Sequence, residues 1–243
     1  IGSSGNTSPR LISDIAEYWR MQYAESQATP SLPTLSDQCY LLETGEATTG
    51  PLQSLVLDHL LLNEGDAYWV DAAGHARSDT LARIAPSNRL LERINVARGF
   101  TAYQHAALVN RVTDFVDEET GIVVAPAVDA MYRSDDIRGP DPEAMLRATV
   151  ERLSTLCQSH GTPVILTCRQ RDDLSASVAE HVEDVIRCES TQFGPRFVGD
   201  GFETLVYPTG DGYVQTTLAF WKHVLTTRAE TNGATAEVAH GAY

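Results

Sequence analysis

The chain is nearly empty of lysine: of its 18 basic residues only Lys222 is one, against 33 acidic residues and a formal charge of −15. So acidic a surface repels itself in dilute buffer, whereas molar salt shortens the Debye length to about 3 Å and removes most of the repulsion. The composition points to a halophilic source with a salt-rich cytoplasm. It also removes overall charge as an argument against nucleic acid, since only local arginine clusters are then informative. No apolar run approaches the roughly 18 to 20 residues that span a bilayer. The polar opening Ile1-Gly2-Ser3-Ser4-Gly5-Asn6 lacks the apolar stretch of a signal peptide. No membrane partner is expected, and a cytoplasmic location is. Cysteine is scarce as well. Cys39, Cys157, Cys168 and Cys188 form no CxxC pair and the seven histidines do not cluster with them, which speaks against a zinc module and for reduced, buried thiols. No long Pro/Gly-rich stretch divides the 243 residues, so one core is expected.

Periodicity supplies the architecture. Pro9 to Gln27 has helical spacing after a Ser8-Pro9 start, and Thr29-Pro30-Ser31-Leu32-Pro33 then breaks it. From Gln38 onward short apolar runs alternate with helical segments. Strands are expected at Cys39–Leu42, Tyr68–Asp71, Ile94–Ala97, Ile122–Ala125 and Pro163–Thr167. Helices are expected at Pro51–Asn63, Ser78–Ala85, Ala102–Val116 and Pro142–His160. Shorter segments follow at Val182–Cys188, Arg196–Val198, Thr204–Tyr207 and Tyr213–Leu218. This order predicts an α/β fold with a mostly parallel sheet covered on both faces and antiparallel strands at the C-terminal edge. The expected division is an N-terminal helix and linker over 1–37, a core over 38–225, and a loose Ala/Thr/Glu/Gly-rich tail over 226–243.

The loop after the first strand, Gly45-Glu46-Ala47-Thr48-Thr49-Gly50-Pro51-Leu52, has the GxxxxG spacing of a phosphate-binding loop, which by itself also fits a plain strand-turn-helix with a proline start. A working loop continues with Lys and Ser or Thr, and here Pro51 and Leu52 stand there. Further stretches follow at fitting distances: Val70-Asp71-Ala72-Ala73-Gly74, Ile94-Asn95-Val96-Ala97-Arg98-Gly99-Phe100, Ile122 to Arg133 and Val164 to Gln170. Together these resemble, in order, the RecA-type ATPase core of the archaeal RadA recombinases over roughly residues 38 to 220. The Val96-Ala97-Arg98-Gly99-Phe100 segment is the most specific piece.

The resemblance implies a RecA-like fold and a nucleotide site at Gly45, Gly50 and Asp71, but a vestigial one. The family's catalytic glutamate falls on Ala73 and its magnesium-supporting aspartate on Pro126. With Pro51 and Leu52, the groups for metal-assisted phosphoryl transfer are replaced. A pseudo-ATPase with no catalytic residue, metal or required cofactor is expected, residual nucleotide binding being left open. The family's DNA-facing loops fall after Met131 and after Thr167, which gives Arg133, Arg138, Arg169 and Arg171 as candidate contacts to weakly held single-stranded DNA. Asp135, Asp136, Asp141, Asp172 and Asp173 offer local salt bridges as the alternative, and packing is the alternative to base stacking for Tyr132. His75 and His105 are read as structural. The expected function is a regulatory or accessory subunit in DNA recombination or repair, partnered by a RecA/RadA-family recombinase or another repair protein. The alternatives are an ATPase with a displaced acidic site on Asp71 or Asp129, and a scaffold unrelated to DNA.

Overall fold

The computed structural model describes residues 31–45, 50–72, 74–76, 78–133, 141–191, 194–206 and 218–240. The helix expected over Pro9 to Gln27 lies outside these residues, as does almost all of the strand expected at Tyr213–Leu218.

Among the described residues eight strands form one sheet: β1 (Cys39–Thr44), β2 (Asp66–Ala72), β3 (Ile94–Gly99), β4 (Thr120–Ala125), β5 (Val164–Leu166), β6 (Asp184–Thr191), β7 (Gly194–Gly199) and β8 (Phe202–Leu205). Their order is β3-β2-β4-β5-β1-β6-β7-β8. The first six are parallel, and β7 and β8 add antiparallel strands at the C-terminal edge.

The helices are α1 (Pro51–Leu62), α2 (Ser78–Ile84), α3 (Asn88–Leu91), α4 (Ala102–Val112), α5 (Pro142–His160), α6 (Asp173–Ala179) and α7 (Leu218–His240), with a 3-10 turn at Ala130–Arg133. The period of two along a strand divides the core. Tyr40 and Leu42 of β1 join one cluster with α1, α2, α3 and α7, while Cys39 and Leu41 join the other with α4, α5 and α6. α1 is buried nearly all round because it lies between the sheet and α7, which its almost continuous apolar sequence permits.

Local chemistry sets the helix ends. Thr101 caps α4 by accepting from the Gln104 N–H, Asp141 caps α5 at Glu143, and Gly161 closes α5 with a left-handed φ of 62°. The core boundary expected at residue 225 falls inside α7. This helix buries Phe220, Trp221, Val224 and Leu225, and beyond the boundary Arg228 pairs with Asp58 of α1. Cys39, Cys157 and Cys188 are buried, Cys168 is half-buried, and all four are free thiols. Among the described residues no helix is long and apolar enough to cross a membrane.

Candidate functional site

In an open parallel sheet, ligands gather where neighbouring strands send their following helices to opposite faces. Here β1 runs into α1 on one face and its neighbour β5 runs into α6 on the other. A cavity of about 750 Å³ lies at that divergence, walled by the ends of β1, β4 and β5, the start of α1, His75, and Thr167 to Arg171.

Of the three residues expected at a phosphate site, Gly45 and Gly50 line this cavity and Asp71 does not. Asp71 is fully buried. Its carboxylate accepts from the Gly74 N–H (3.0 Å), the Ala76 N–H (2.6 Å) and Arg98 Nε (2.5 Å). It organises the turn after β2 rather than facing a ligand. Gly50 is the N-cap of α1 at φ 108°, a conformation that favours glycine, and Pro51 opens the helix with no N–H. Pro126 forms part of the wall. Ala127 beside it sits at φ 47°, held by the Thr167 hydroxyl, which accepts from the Ala127 N–H at 2.8 Å. Ala73 lies outside the described residues.

Three of the four candidate DNA arginines, Arg133, Arg169 and Arg171, are among the described residues. Arg133 is only 16% exposed and donates to Asp129 (Nε, 2.5 Å) and to Asp172 (Nη1, 2.5 Å). This is the local salt bridging weighed from the sequence, and the guanidinium holds the Asp172 carboxyl down at about 2. Arg138 lies outside the described residues. Arg169 and Arg171 line the cavity, Arg169 without a side-chain partner among the described residues and Arg171 3.4 Å from Glu43. Asp129 is itself fully buried, accepting from Arg133 and from the Arg169 N–H at 2.7 Å.

Tyr132 is buried, its hydroxyl 3.1 Å from His105 Nδ1 and 2.9 Å from Thr149 Oγ1. Burial raises the phenol to about 12 and lowers His105 to about 4. Packing is therefore the role of Tyr132, and the base-stacking alternative fails because the ring is enclosed. His105 is likewise structural, whereas His75 is partly exposed at the cavity wall.

A second feature carries no sequence motif. Among the described residues β3 is an outer strand of the sheet, and a groove of about 380 Å³ lies over β2 and β3 beside the end of α4, lined by Tyr68, Asn95, Ala97, Leu108, Arg111 and Phe115. Val96 is 44% exposed and Phe115 52%, with the Arg111 guanidinium 5.8 Å from the Phe115 ring centre. Val96 had been part of a core-like apolar run in the sequence. Only the strand order places it outside.

Among the described residues no group of three or more His, Cys, Asp or Glu side chains is arranged to hold a metal ion. Neither a scan against protein-family models nor a search of curated proteins returns a match for this chain.

Proposed function

We propose that the chain is a RecA-like protein, similar to the archaeal RadA recombinases, that acts as a non-hydrolysing accessory subunit in DNA recombination or repair by binding a recombinase or another repair protein. The observation that carries this reading is the β3 edge. Among the described residues β3 has a partner strand on one side only, and the groove over β2 and β3, walled by Tyr68, Leu108, Val112 and exposed Phe115, suits an added strand from a partner that sets one apolar side chain there.

Two further features support it. The segments that carry the RadA resemblance fall in order on β1 with α1, on β2, on β3 with α4, on β4 and on β5, and the cavity lies at the carboxyl ends of β1, β4 and β5. The residues weighed for a displaced acidic site, Asp71 and Asp129, are both buried and engaged by arginine and backbone donors. DNA alone is expected to bind weakly. With Arg133 in ion pairs, Arg169 and Arg171 release few counterions.

The test is to mix the protein with the recombinase of the same organism at native salt and measure co-elution and strand-exchange rate. Association is expected and should weaken at least about tenfold in Ala97→Arg, which places a charge on the groove face of β3. No association and no rate change, with tight binding of single-stranded DNA by the protein alone, would replace this reading with a freestanding DNA-binding role.

A further inference from the structure

We draw no further inference here: the strongest candidate, the exposed aromatic patch of Phe100 and Tyr103 between the carboxyl end of β3 and the first turn of α4, carries nothing because nothing among the described residues shows what covers it.

Discussion

The indole of Trp221 in α7 closes directly over Gly50, the left-handed residue from which α1 starts. A Cβ built on Gly50 would run into the indole Cδ1 and Nε1, and φ is 108°. Gly50→Ala is therefore expected to destabilise the fold by about 2–4 kcal/mol, through backbone strain together with overpacking. Chemical denaturation measures it. A variant as stable as the parent would show that the turn can move away from α7.

The same helix is tied down by the buried pair Asp58–Arg228. Arg228→Ala strands a carboxylate that burial already pushes above its ordinary value, so a loss of about 3–5 kcal/mol is expected. Adding Asp58→Leu to that variant should recover much of it. A double variant no more stable than Arg228→Ala alone would place the loss elsewhere.

His105 predicts a pH dependence. Burial holds it at about 4 in the folded chain, below 6.5, with Asp71 pulling weakly the other way. As pH falls through about 6.5 the unfolded chain takes the proton and the folded chain does not, so stability falls between about 6.5 and about 4 by at most about 3 kcal/mol. Burial also lowers His59, which acts in the same direction. Urea midpoints at about pH 7 and about pH 5, compared for the parent and His105→Gln, isolate the contribution. Equal acid sensitivity in the two proteins would remove His105 as its source.

Folding should depend on salt, because 33 acidic side chains face 18 basic ones. Thermal melts in low and molar KCl are expected to show a higher Tm in high salt. An unchanged or lower Tm would reject the halophilic reading.

ATP turnover should stay at background, with Pro51, Leu52, Ala73 and Pro126 standing where the resemblance places the catalytic groups. Pro51→Lys alone should not restore it. Phosphate release abolished by changing Asp71 or Asp129 would revive the displaced-acid alternative.

The sequence by itself determined the alternation of strands and helices, the parallel sheet with its antiparallel edge, and the two glycines, Gly45 and Gly50, that line the cavity. These follow from periodicities of 2 and 3.6 and from turn chemistry, which are local properties of the chain. α5 begins and ends where Pro142 and His160 were expected because Asp141, Pro142 and Gly161 mark both ends. Two shorter signals were present but unread. One is the Asp172/Ser175 capping box that starts α6. The other is the spacing Phe220, Trp221, Val224, Leu225, which is helical although the Thr- and Ala-rich residues after it suggested a loose tail. Tertiary structure alone decided strand order, and with it which apolar residues stay exposed: Val96 reads as core, yet among the described residues β3 has a neighbour on only one side. It also decided which charges remain available. Arg133 and Arg169 are alike in sequence, but Asp129 and Asp172 converge on Arg133 from two separate loops and leave the Arg169 side chain facing the cavity. Pairing across 39 residues of chain is set by how the sheet brings β4 and β5 together, and no local pattern encodes it.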